Sequence, residues 1–203
     1  MKKLGETLCY RQKLFELEDL SLAFLDNIIE GFLPYKNLWY ACQDMVKLEE
    51  ATLGNPLVNI DLDDVANAMD VIRNSLHKSL EIFSEKPEIQ DVAHYFLAQL
   101  DSFIPKYQAI KDMKNENWIF LHWQELAVRS GLEIKYSMAM NFQYCIRKGI
   151  LDHLDLVHEI SEKATNEADA IREAFEAEER RKEEERQTLL MRKALRKCRR
   201  DIL

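Results

Sequence analysis

Three stretches bring together residue types that could do chemistry. Trp118-Ile119-Phe120-Leu121-His122-Trp123-Gln124-Glu125-Leu126 sets aromatic rings around one imidazole. On a helix Trp118 and His122 are i,i+4 neighbours and share a face, with Trp123 at its edge. Two readings are open: core packing, with ring nitrogens satisfied locally, or a ligand pocket around His122. Nucleic-acid stacking is disfavoured, because no basic residues are interleaved. The second stretch, His158-Glu159-Ile160-Ser161-Glu162, begins like a zinc-protease helix. Such a helix needs a second histidine at the fifth position, and Glu162 stands there. His153 and His158 are five apart, about 140° around a helix, so they do not grip one ion from one face. Third, carboxylate pairs recur at Asp63 and Asp64, Asp152 and Asp155, and Glu178 and Glu179. Acid–base work needs burial to shift a carboxyl pKa, and these pairs fall on faces expected to be solvated. No catalytic, cofactor-binding or metal-binding residue is assigned.

The five glycines are scattered, with no phosphate-cradling pattern. The four cysteines, Cys9, Cys42, Cys145 and Cys198, lie far apart and form no Cys-x-x-Cys pair. Free thiols in a reducing compartment are the expectation. No long apolar run follows Met1-Lys2-Lys3, and no 18-residue apolar stretch occurs, so neither a signal peptide nor a membrane span is expected.

The elements that must position these residues are helical. The sequence is 47% hydrophobic and 32% charged, with five Gly and four Pro, which favours a helix-rich protein with a real core. Leu14, Leu17, Leu20, Leu22, Phe24, Leu25, Ile28 and Ile29 predict a first amphipathic helix over 4–30. Gly31 and Pro34 are expected to interrupt it, and a second helix follows over 35–53. Asp61 caps a third, whose first turn holds Asp63 and Asp64 and whose stripe is Val65, Met69, Ile72 and Leu76. Pro87 opens a fourth, and Pro105 is expected to kink or restart the chain. Asn115 or Asn117 is expected to cap the aromatic helix, which Gly131 stops. Leu57-Val58-Asn59-Ile60 suggests a short extended piece.

From Gly149 the chain reads as one long helix. Val157, Ile160, Ala164, Ala168, Ile171 and Phe175 follow heptad spacing, a seam for a partner helix along 157–175. Beyond it, Glu176–Thr188 is almost wholly charged, supported by i,i+4 pairs such as Glu178 with Lys182. Between Arg192 and Leu203 six basic residues stand against Asp201, a net +5, which leaves −13 on residues 1–191. Two readings of the basic tail at 192–200 are open: a solvated helix end, or contact with an acidic surface. The acidic body is a poor general nucleic-acid binder.

A family resemblance enters at the aromatic cluster. Phe103 to Pro105, His122-Trp123, Gly131, then Leu151, Leu154, Ile160, Ala164, Glu167 and Ile171 follow in order a pattern that resembles the linker region of dynein heavy chains. The likeness covers most of residues 12–175, with Leu14-Phe15 to Trp39 resembling the helix before the linker's bundle. Leu121 stands where that family usually has arginine, so any salt bridge made there is lost. Beyond Phe175 the family continues through the linker into ATPase modules, whereas this sequence turns charged, then basic. It reads as a fragment, a truncated product or a small relative. The resemblance implies a structural lever without a nucleotide site of its own, partnered by the rest of a dynein heavy chain or other dynein subunits. It also implies a place in the cytoplasm and cytoskeleton, including the cilium or axoneme.

The expectation is therefore an all-α protein: an elongated helical bundle with a long C-terminal, partly coiled-coil helix. The bundle is expected over 1–148 and the charged arm over 149–203. Trp118, His122, Trp123, Val157, Ile160, Ala164, Ile171 and Phe175 are the structural or interaction candidates. An independent helical adaptor, or axonemal scaffold, using the seam is the alternative, and an enzyme built around His122 is the third reading.

Overall fold

The computed structural model describes residues 2–15 and 23–201. Among them there are seven α-helices and no strand, so the chain is all-α. Leu17, Leu20 and Leu22 of the expected first stripe lie outside the described residues, as do the side chains of Phe24 and of Arg196, Lys197, Cys198, Arg199 and Arg200 in the basic tail. The chain divides into two compact units, one up to Pro105 and one from Lys106.

In the first unit α1 spans Lys2–Leu14 and α2 spans Ala23–Gly54. The expected break at Gly31 and Pro34 does not occur: α2 runs through both. Proline removes one N–H, which leaves the carbonyl four residues back without its helical partner. Here the residues from Glu30 to Leu33 are exposed, so water can satisfy that carbonyl. The helix is then held further on by burial of Leu38, Ala41, Cys42 and Met45. A single 3₁₀ turn, Leu57–Asn59, stands where a short extended piece was expected, with Leu57 turned into the core. It leads to α3, Leu62–Ile82, whose cap is as expected: the Asp61 carboxylate accepts from the N–H groups of Asp63 and Asp64.

Val65, Met69, Ile72 and Leu76 form the buried stripe of α3 and pack on α2. Burying such a side chain contributes roughly 1.5–3 kcal/mol, which outweighs the propensity deficit of the exposed first turns of α2. Tyr35 meets Phe83 with ring centroids 4.8 Å apart, and the ammonium of Lys86 bonds the Tyr35 hydroxyl. The start of α2 thus lies beside the end of α3, an antiparallel pair. Next, α4 spans Pro87–Met113 with Pro105 inside it; Asp101, Ile104 and Pro105 are exposed, so this proline too is tolerated on a wet face.

The second unit begins with the last turns of α4, which bury Ala109, Ile110 and Met113. It continues with α5, Phe120–Ser130, α6, Phe142–Arg147, and α7, Leu154–Asp201. Gly131 stops α5 at φ 70°, the left-handed position where a side chain is disfavoured. Gly149, at φ 94°, turns the chain into the 3₁₀ turn Ile150–His153 that precedes α7. Phe142, Cys145 and Ile150 are fully buried with Leu126, Val157 and Ile160. The expected division at 148/149 falls inside this unit, because the first three turns of α7 supply its core. Burial pushes the Cys42 thiol up to about 11 and that of Cys145 to about 12, so neither is a nucleophile near neutral pH.

Candidate interaction site

The sequence candidates converge on the seam between α5 and α7. Trp118 is not on the helix, contrary to expectation. The chain turns at Glu116–Asn117, Ile119 is the N-cap in extended conformation, and α5 starts at Phe120. Neither asparagine caps it. His122 performs that task from inside: the Ile119 N–H donates to His122 Nδ1 at 3.1 Å. That bond leaves the ring proton on Nε2, which faces Glu167 Oε2 at 3.2 Å. The imidazole is therefore a tie between the start of α5 and α7, buried to 4% exposure. Its two nitrogens are both occupied, which disfavours the base or ligand role.

Two further rungs follow. Glu125 accepts from Lys163 Nζ at 2.7 Å. Arg129 grips Glu159 with both Nη atoms, each at 2.8 Å, and also reaches Glu125 at 3.4 Å. Along the ladder His122, Glu125 and Arg129 ascend while Glu167, Lys163 and Glu159 descend, the signature of antiparallel helices in one register. The charges tune one another. The Lys163 hydrogen bond holds the Glu125 carboxyl below its usual range, and Arg129 does the same for Glu159. Beneath the ladder Trp123, Leu126, Val157, Ile160 and Ala164 are buried. Exposed pairs of this kind add little stability singly; here they select the register that the apolar layer then seals.

Trp118 caps the layer from the side. Its ring lies 4.6 Å from Trp123, which stacks on Tyr136 at 4.9 Å. The Trp118 indole nitrogen is buried without a hydrogen-bond partner among the described residues. On the opposite flank Asn115 Nδ2 reaches the Ser161 carbonyl at 3.1 Å, Ser161 Oγ at 3.0 Å and Thr165 Oγ1 at 2.8 Å. His158 Nδ1 meets Asp112 Oδ2 at 3.1 Å and its Nε2 meets Glu162 at 3.4 Å. The Asp112 hydrogen bond and charge push the His158 pKa up. Near these groups lies an open polar depression of about 410 Å³, lined by Asp112, Ser161, Glu162, Thr165 and Asn166. Among the described residues no cluster of three or more His, Cys, Asp or Glu is arranged to hold a metal ion.

The seam expected along 157–175 is split, so the partner-helix reading needs correcting. Val157, Ile160 and Ala164 face their own unit and are at most 1% exposed, while Ile171 is 71% and Phe175 62% exposed. A partner helix can reach only the second half. The sequence alone assigned no tie between α5 and α7 to Asn115, Glu125, Arg129, Glu159, Lys163 or Glu167. A signal existed: Glu159, Lys163 and Glu167 alternate in sign at four-residue spacing, but the same pattern also describes a merely solvated face.

Residues 25–193 match the family model described as "Dynein heavy chain, N-terminal region 2". The chain is similar to dynein axonemal heavy chain 1 of Homo sapiens, 24% identical over 170 residues, and to that of Rattus norvegicus, 25% identical over 170 residues. It is also similar to dynein axonemal heavy chain 3 of Homo sapiens, 21% identical over 124 residues. These alignments cover 84%, 84% and 61% of this chain, but it spans only 4%, 4% and 3% of the relatives' own lengths. No solved structure matches it significantly.

Proposed function

The chain belongs to the dynein heavy chain N-terminal region 2 family, and from that premise we propose that it is a non-catalytic, mechanical segment of a dynein motor assembly. The observation that supports this reading most is the anchoring of α7. Its first turns are clamped by three fully buried apolar residues and by the three-rung ladder, and the helix then runs on with residues 170–193 all exposed. An arm gripped at one end passes displacement to whatever holds the other, and dense packing at the grip keeps that displacement from dissipating. Its partners on this reading are the rest of a dynein heavy chain or other dynein subunits. Its place is the cytoskeleton, the cilium or axoneme included. A contact surface is available in the first unit: Ile28, Phe32, Trp39 and Val46 lie along one flank of α2 and are 51%, 61%, 61% and 46% exposed.

A tagged chain expressed in ciliated cells should fractionate with axonemal dynein and show no ATP hydrolysis once purified. Phe32→Glu with Trp39→Glu should release it without loss of helicity. Absence of the parent chain from the axonemal fraction, or ATP turnover by the pure protein, refutes the reading. The exposure of Ile171 and Phe175 favours a second reading, an independent adaptor or axonemal scaffold that binds through the distal part of α7. In that case charge at Ile171, and not at Trp39, releases the chain.

A further inference from the structure

The distal part of α7 has two properties that together select an occupant. First, residues 170–193 are all exposed among the described residues, including Ile171, Phe175 and, at the other end, Leu189, Leu190 and Met191 at 53%, 59% and 67%. The positions 171, 175, 178, 182, 185 and 189 step by four and three, so Ile171, Phe175, Glu178, Lys182, Glu185 and Leu189 lie along one stripe. The stripe is apolar at both ends and charged in the middle. Second, its charge is segregated. Residues 165–179 carry six carboxylates and one arginine, net −5, whereas residues 181–195 carry five basic and three acidic residues, net +2.

We propose that the distal part of α7 is a self-complementary interface that pairs antiparallel with the same helix of a second copy of this chain. With the two-fold axis beside residue 180, each position faces the one whose number completes 360. Ile171 then meets the partner's Leu189, and Glu178 meets the partner's Lys182, each contact occurring twice. Phe175 lies over the methylenes of the partner's Glu185. The acidic half of one helix runs along the basic half of the other, and the helix dipoles oppose. A parallel pair does the reverse: it sets Glu178 on Glu178, acid half on acid half. Because the interface is isologous it closes at two copies and does not propagate. The pairs that the single helix makes internally, Glu178 with Lys182 at 2.8 Å and Arg181 with Glu185 at 4.0 Å, exchange for intermolecular ones, so the association is weak and sensitive to salt. This pairing does not depend on the dynein reading.

The experiment is sedimentation of the purified full chain, monomer mass 24.0 kDa, over a concentration series. A reversible dimer that weakens with added salt is expected. Ile171→Asp, introduced twice by symmetry, should weaken it about 100-fold while circular dichroism stays unchanged. Glu178→Lys alone and Lys182→Glu alone should each weaken it about tenfold, and the double exchange should restore it. With Cys9 and Cys198 changed to Ser, Ile171→Cys and Leu189→Cys chains should form the mixed disulfide in preference to either homodisulfide. A monomer throughout the series, or a dimer indifferent to Ile171→Asp, overturns the proposal. So does a dimer that Ile171→Cys alone cross-links, since that is the parallel arrangement.

Discussion

The two halves of α7 share one heptad pattern and meet opposite fates. Up to Ala164 the stripe is sealed under α5; from Ala170 to Lys193 it is bare. Composition explains why one helix supports both. In the proximal half Val157, Ile160 and Ala164 give a continuous apolar strip, flanked by Glu159, Lys163 and Glu167 at the spacing that α5 answers. In the distal half the strip is interrupted by Glu178, Lys182 and Glu185, and the helix is supported by its own ion pairs, among them Glu178–Lys182 and Arg172–Asp169. Heptad spacing therefore says that a side of a helix can be covered. What lies between the apolar positions says whether the covering is strong enough to form within one chain.

The sharpest test of that contrast is one substitution made in each half. Ile160→Asp should destabilise the second unit by about 3–5 kcal/mol, since it buries an unpaired carboxylate where no water reaches. Ile171→Asp should move the monomer's denaturation midpoint by less than about 0.5 kcal/mol equivalent. Urea titrations at low protein concentration, followed by circular dichroism, read both. Equal effects would mean that the distal half is packed in solution.

A smaller effect is expected from Asn115→Ala, which strips Ser161 and Thr165 of a shared donor on the proximal half. A loss of about 1–3 kcal/mol in the same titration is expected, with no change in α1–α3. Smaller again, and dependent on pH, is the His158 contact with Asp112. Because the His158 pKa is raised in the fold above its ordinary value of 6.5, its contribution is fully present below about pH 6.5. It is lost as pH rises through the raised value. The native chain should lose part of its stability as pH rises above about 6.5, and His158→Gln should flatten that slope. The carboxylates of the ladder act in the other direction. Glu125 and Glu159 have lowered pKa values, so their contribution is present above the ordinary value of 4.5 and fades as pH falls through the folded ones. Arg129→Ala should therefore reduce the loss of stability below pH 4.5, the smallest change of the set.

Several features were legible in the amino-acid order. Asp61 capped α3 and Gly131 stopped α5 because both effects are local, made within one turn of chain. The Val65, Met69, Ile72, Leu76 stripe was legible because its periodicity repeats without interruption. Pro34 was misread for a physical reason: it forbids one hydrogen bond, and whether that matters depends on solvent beside the orphaned carbonyl. Trp118 was misplaced by one turn because His122, not an asparagine, supplies the acceptor that starts α5.

By itself the sequence determined that this chain is helical, where α3 is capped and α5 stops, and which positions are apolar; these follow from backbone sterics and spacing. Only the tertiary structure decided which apolar stripe finds a partner inside the chain. That outcome depends on two helices presenting matching charges in one antiparallel register, as His122, Glu125 and Arg129 do for Glu167, Lys163 and Glu159. Such matching between residues dozens of positions apart leaves no periodic trace in either segment alone.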